Sequence, residues 1–155
     1  MKLAVLNASP LIILAKAGYL DLVPKLLSPV VIPRAVATEI STGPLNDPAV
    51  RFLARRSWLS VVDLVPALSP LATWHLGPGE SEVLEYARRN SGTVAVLDDR
   101  AARALQIPLT GTLGLVVAAV RMNLLPSLSA AIDAVRACGL YVDSATVSRL
   151  LTGDQ

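Results

Sequence analysis

In Thr93-Val94-Ala95-Val96-Leu97-Asp98-Asp99 an apolar run ends abruptly in two carboxylates. A helical pattern, Asp99 to Leu105, begins at once behind them. A short β-rich run that turns directly into a helix is the strand-to-helix junction of a parallel α/β sheet. Ligands in such sheets sit just beyond the carboxyl ends of the strands. Two carboxylates there suit a divalent cation, because hard cations take oxygen ligands.

The same alternation repeats on both sides of this stretch. Leu3 to Leu6 is a continuous apolar run and predicts a buried strand. Ser9 is placed to cap a helix whose first residue is Pro10 and which Gly18 stops. Asp21 to Leu27 predicts a second short helix. Val30-Val31-Ile32 predicts a strand, followed by a helix from Arg34 to about Ile40. Asp47 caps a helix over Pro48 to Arg56, Val61 to Leu64 is an edge strand, and Pro66 to Pro78 is a loop. Gly79 to Arg89 is amphipathic: Val83, Leu84 and Ala87 face inward, while Glu82, Glu85, Arg88 and Arg89 face out. Ile107 to Leu109 is a short strand, and helices follow over Leu113–Met122, Ser127–Ala137 and Ser144–Leu151. This order predicts one three-layer α/β domain over residues 1–155, with a parallel sheet of four to five strands flanked by helices.

Composition narrows the function. The 155 residues are 53% hydrophobic and 17% charged, which excludes a disordered chain. The apolar stretch Leu113 to Val120 falls short of the about 20 residues that span a bilayer. Asn7, Ser9 and Pro10 interrupt the N-terminal apolar run, so no signal peptide is expected and a cytoplasmic location is the default. One cysteine, Cys138, excludes an internal disulfide and a thiolate zinc cluster; one histidine, His75, excludes a multi-histidine site. The net charge of +2 does not by itself require a nucleic-acid partner.

In a parallel sheet all strand ends share one edge. That brings Asn7 and Ser9 (after the first strand), Glu39 (in the helix after the second), Glu80 and Glu82, Asp98 and Asp99, and Thr110 and Thr112 toward one another. Acids at helix starts also have a structural use, stabilising the dipole by about 0.3–1 kcal/mol each. As a set they suit one or two Mg²⁺ or Mn²⁺ ions that activate water and neutralise phosphoryl charge. Gly77-Pro78-Gly79-Glu80 lacks the lysine of a Walker motif, so phosphodiester hydrolysis is favoured over nucleotide binding. Arg100 and Arg103, at helical i,i+3 spacing behind Asp99, are candidates for phosphate contact.

Five segments, VLNASPLIILAKAGYLDLV from Val5, VVIPRAVATEI from Val30, GPGESEVLEYA from Gly77, AVLDDRAAR from Ala95 and IPLTGTLGLV from Ile107, resemble a PIN domain in that order and spacing. The resemblance runs from about Lys2 to Leu151 and is closest to the bacterial and archaeal branch related to VapC-type toxins. It implies a Mg²⁺- or Mn²⁺-dependent ribonuclease, commonly dimeric, acting on RNA and held inactive by a partner antitoxin. By similarity Asn7 falls on the first acidic position and Ser9 on the nearby hydroxyl. Glu39 falls on the second acid, Glu80 on the third and Asp99 on the fourth, with Asp98 able to share that role. Thr110 and Thr112 fall in the loop after the last strand. The family usually has Asp where this chain has Asn7. An amide oxygen ligates without charge, so the alternative expectation is an attenuated module that binds RNA or protein without cutting.

Overall fold

The computed structural model describes residues 2–55, 58–64, 76–98 and 107–153. Five strands form one sheet: β1 (Ala4–Leu6), β2 (Val30–Pro33), β3 (Leu59–Val62), β4 (Val94–Val96) and β5 (Leu109–Thr110). Their order is β3-β2-β1-β4-β5, and every neighbouring pair is parallel. Ala4, Val5 and Leu6 are wholly buried in the central strand, as their unbroken apolar character requires. Each large aliphatic side chain so buried contributes about 1.5–3 kcal/mol.

The strand order locates the site. From β1 the chain steps outward to β2 and β3, then returns to the other side of β1 for β4 and β5. The reversal falls between β1 and β4, where Ala4, Val5 and Leu6 pair with Val94, Ala95 and Val96. A crevice opens beyond the carboxyl ends of two such strands because their connections leave in opposite directions.

Eight α-helices flank the sheet among the described residues: α1 (Ala8–Ala17), α2 (Val23–Leu26), α3 (Arg34–Ser41), α4 (Pro48–Arg55), α5 (Pro78–Arg89), α6 (Thr112–Arg121), α7 (Leu128–Ala137) and α8 (Ser144–Thr152). Helix α5 lies across β1, β2 and β4 and packs on α3; α1 packs on α4, α6 and α7. Val83, Leu84 and Ala87 of α5 are buried, as its period predicts. The result is the expected three-layer α/β architecture, with five strands. No helix among the described residues is long and apolar enough to cross a membrane.

Several local expectations are corrected. The first helix starts at Ala8, so Asn7 rather than Ser9 stands at the cap position, with extended backbone (φ −81°, ψ 166°) and no side-chain capping bond. The segment expected to be one helix over Asp21–Leu27 is a 3-10 turn, Leu20–Leu22, followed by α2. The edge strand lies two residues earlier than expected, because Val30 pairs with Leu59. Glu85, expected to face solvent, is buried. Its carboxylate accepts from Arg88 Nη2 at 2.6 Å and from Arg89 Nε at 2.7 Å, and paired burial of this kind is the way an acid enters a core. Glu82 is half-buried rather than outward-facing. The helix expected over Asp99–Leu105 and most of the loop expected over Pro66–Pro78 lie outside the described residues.

Candidate functional site

Asn7 follows β1 directly and is tied to the next strand: its N–H donates to the carbonyl of Val96 at 2.9 Å. The side chain is buried, and among the described residues Oδ1 has no hydrogen-bond partner. An unsatisfied buried acceptor costs about 1–3 kcal/mol. Thr93 Oγ1, just before β4, is likewise without a partner among the described residues, so what gives the Asn7 position meaning is the second oxygen beside it.

Glu39 reaches the same place from α3. A Cβ on Gly79 would stand 3.0 Å from Glu39 Oε2 and 3.4 Å from Asn7 Oδ1. Both oxygens therefore lie close to one point of backbone at the start of α5, and a side chain there would crowd Glu39 while only touching Asn7. The approach also needs α3 and α5 held together. Glu82 does this: its Oε2 accepts from the N–H of Ala35 at 2.9 Å, so α5 caps the first turn of α3. Sequence reading missed this role because the partner lies in another helix and no local spacing announces it. Glu80 occupies the first turn of α5, one residue beyond Gly79, and is half-buried. Ser9 is exposed in the first turn of α1, two residues beyond Asn7.

One strand over, Asp98 has a different setting. Its Oδ1 accepts from the N–H of Thr112 and its Oδ2 from the Thr112 hydroxyl, both at 2.7 Å. The carboxylate thus caps α6 and joins it to the end of β4. A Cβ on Gly111 would come within 2.7 Å of Asp98 Oδ1, so this lock too depends on a glycine. Thr112 is completely buried, with both of its donors given to Asp98. Thr110 is half-buried at the end of β5, where its carbonyl accepts from the N–H of Leu97. Asp99, Arg100 and Arg103 lie outside the described residues. Among the described residues, no three of His, Cys, Asp and Glu come together in a metal-binding group. What does converge is one carboxylate, one orphaned amide oxygen and the start of α5.

An exposed ion pair stands at the start of α3. Arg34 Nε donates to Asp63 Oδ1 at 3.0 Å, joining the start of α3 to the residue after β3. That hydrogen bond and the adjacent charge hold the Asp63 carboxyl below its ordinary value and raise the Arg34 guanidinium. Arg88 is likewise raised by its bond to Glu85.

A parallel sheet whose switch point gathers oxygen donors from β1, α3 and the start of α5 defines an α/β domain with a ligand site on its carboxyl edge. A family profile described as a PIN domain matches residues 3–153, and the chain belongs to that family. No curated protein matches the chain. PIN domains are nuclease-type domains that bind nucleic acid and typically use divalent metals.

Proposed function

We propose that this chain is a metal-dependent endoribonuclease of the VapC-related branch. The observation that carries the reading is the buried Asn7 Oδ1, unpartnered among the described residues, beside Glu39 Oε2 at the start of α5. Asn7, Glu39, Glu80 and Asp99 would hold Mg²⁺ or Mn²⁺. The donors are all oxygens, which suits a hard cation that keeps waters and borrows phosphate oxygens. When bound, the cation supplies an activated water and offsets charge on the phosphoryl group.

The protein's own groups account for the rest. Glu39 contributes negative charge to the cation site, and Asn7 contributes an oxygen without charge. Ser9 orients water at the mouth of the site. Arg100 and Arg103 receive the RNA phosphates, and Thr110 lies on the substrate side of the strand edge. Asp98 and Thr112 act through position, by fixing the end of β4 from which Asp99 follows. The test is cleavage of a single-stranded RNA in Mn²⁺ by wild type and by Asp99→Asn. Cutting by wild type, reduced at least about 100-fold in the variant, is expected for loss of a metal-centred transition-state interaction. RNA left equally intact by both proteins across a range of metals defeats the reading.

A second reading has its own observation. With Asn7 in place of an acid, the site carries one anion fewer, and a module that binds RNA or protein without cutting is the outcome if the cation is held too weakly. Asn7→Asp separates the two: activity appearing only in the variant marks the natural chain as attenuated. The toxin role, with an antitoxin as partner, and homodimerisation belong to the same proposal. The exposed Leu45 and Tyr141 are consistent with surfaces that a protein or nucleic acid covers.

A further inference from the structure

The carboxyl edge of the sheet continues past the Asn7 crevice into a groove of about 870 Å³. Its inner end is formed by Asp98 and Thr110, at the ends of β4 and β5. Its walls are α6 on one side and Tyr141 to Asp143, with α8, on the other. The groove therefore starts one strand away from the proposed cation site and leads outward from it.

Its chemistry is uneven in a telling way. Two arginines line it from opposite elements, Arg121 at the end of α6 and Arg149 on α8. Neither forms an ion pair among the described residues; Arg149 Nη2 donates to the neutral Thr146 hydroxyl at 3.2 Å. Among the described residues the acids of the lining, Asp98 and Asp143, each accept hydrogen bonds at a helix start. Asp98 accepts twice from Thr112, and Asp143 Oδ1 accepts from the N–H of Thr146 at 2.6 Å. Tyr141 is 87% exposed at the rim, an unusual position for a large aromatic ring. Both arginines are exposed, and the lining between them is largely apolar, from Leu113, Val117, Leu140 and Leu150. A polyanion with flat bases would pair both cations and stack on the ring, the combination that single-strand sites use.

We propose that this groove carries the single-stranded RNA flanking the scissile phosphate, with a base stacked on Tyr141 and phosphates on Arg121 and Arg149. The inference rests on the nuclease reading above for its substrate, but it can be tested without catalysis. The probe is a fluorescein-labelled oligouridine of eight nucleotides, titrated with full-length protein in excess chelator and read by anisotropy at several salt concentrations. Tyr141→Ala is expected to weaken binding about tenfold, within the range for losing one base–aromatic stack. Arg121→Ala and Arg149→Ala are each expected to flatten the slope of log K against log salt by about 0.7, the value for one phosphate contact on a single strand.

Variants that bind the probe like wild type, with unchanged slopes, overturn the groove. So does a wild-type chain that ignores the probe but self-associates in sedimentation and becomes monomeric on Tyr141→Ala, since that outcome makes the groove a protein interface. Parallel cleavage assays in Mn²⁺ keep the two readings apart. RNA cut equally well by wild type and all three groove variants leaves the nuclease standing and removes the groove. Variant-sensitive binding with no cutting under any metal leaves the groove and removes the nuclease.

Discussion

Adjacent strands of this sheet end in polar residues with opposite fates. At the end of β4, Asp98 is engaged: both carboxylate oxygens accept from Thr112, and Gly111 makes room for the contact. At the end of β1, Asn7 keeps a buried oxygen without a partner among the described residues, and Gly79 makes room beside it for Glu39. The charged residue is a lock and the neutral one is open. Position at a strand end does not by itself make a ligand; an unsatisfied oxygen beside a second donor is the better sign.

The contrast can be broken first at the lock. Asp98→Ala removes two bonds to a charged acceptor and uncaps α6, and a loss of about 3 kcal/mol is expected, since hydrogen bonds to charged groups contribute about 1.5–3 kcal/mol each. Urea denaturation measures it, and a loss below about 1 kcal/mol, the level of a single neutral hydrogen bond, would show that Thr112 does not depend on Asp98.

At the open site, Asn7→Asp sets a buried carboxylate near that of Glu39. Without metal the variant is expected to be less stable by about 2 kcal/mol, because burial and a like charge both oppose ionisation. Added Mn²⁺ should reverse the loss and leave the variant binding metal more tightly than wild type, by about tenfold or 1.4 kcal/mol. A variant as stable in chelator as wild type would mean that the two side chains do not share a site.

Gly79→Ala tests the cradle itself. The added Cβ would stand 3.0 Å from Glu39 Oε2 and 3.3 Å from Val36 Cγ2, so Glu39 must move aside. Metal affinity is expected to fall about tenfold, while stability changes by no more than about 1 kcal/mol, since alanine is the better helix former. Unchanged affinity would place the cation away from Glu39 and Asn7.

The smallest effect is expected far from both regions, at the exposed Arg34–Asp63 pair. Asp63 titrates below its ordinary value in the folded protein, so the pair stabilises above the unfolded carboxyl pKa of about 3.9 and loses that contribution as pH falls through the folded value. Asp63→Asn should therefore differ slightly from wild type at neutral pH and low salt. The difference should vanish in acid and in about 1 M salt, where screening acts within about 3 Å.

Much of the fold could be read from the sequence because it rests on local periods. The apolar runs of β1, β2 and β4 and the 3.6-residue stripe of α5 identify themselves. The register of β3 does not, because Leu59 to Leu64 is apolar enough to slide, and only pairing with Val30 and Val31 fixes it. The burial of Glu85 is invisible for a related reason: its helical spacing to Arg88 and Arg89 fits a solvated ion pair equally well. At the site, the resemblance singled out Asn7, Glu39 and Glu80 in sequences far apart, and the fold gathers Asn7, Glu39 and the start of α5. The commitments of Asp98 to Thr112 and of Glu82 to Ala35 span 14 and 47 residues, beyond what spacing along one helix or strand can indicate.

Asn7 and Glu39, whose side-chain oxygens meet at Gly79, are proposed to hold a divalent cation. Calorimetric titration of Mn²⁺ into wild type and Glu39→Gln tests it most directly. One class of site in wild type, weakened at least about tenfold (1.4 kcal/mol) in Glu39→Gln, is the predicted result. Mn²⁺ binding of equal strength to both proteins, or to neither, would contradict it.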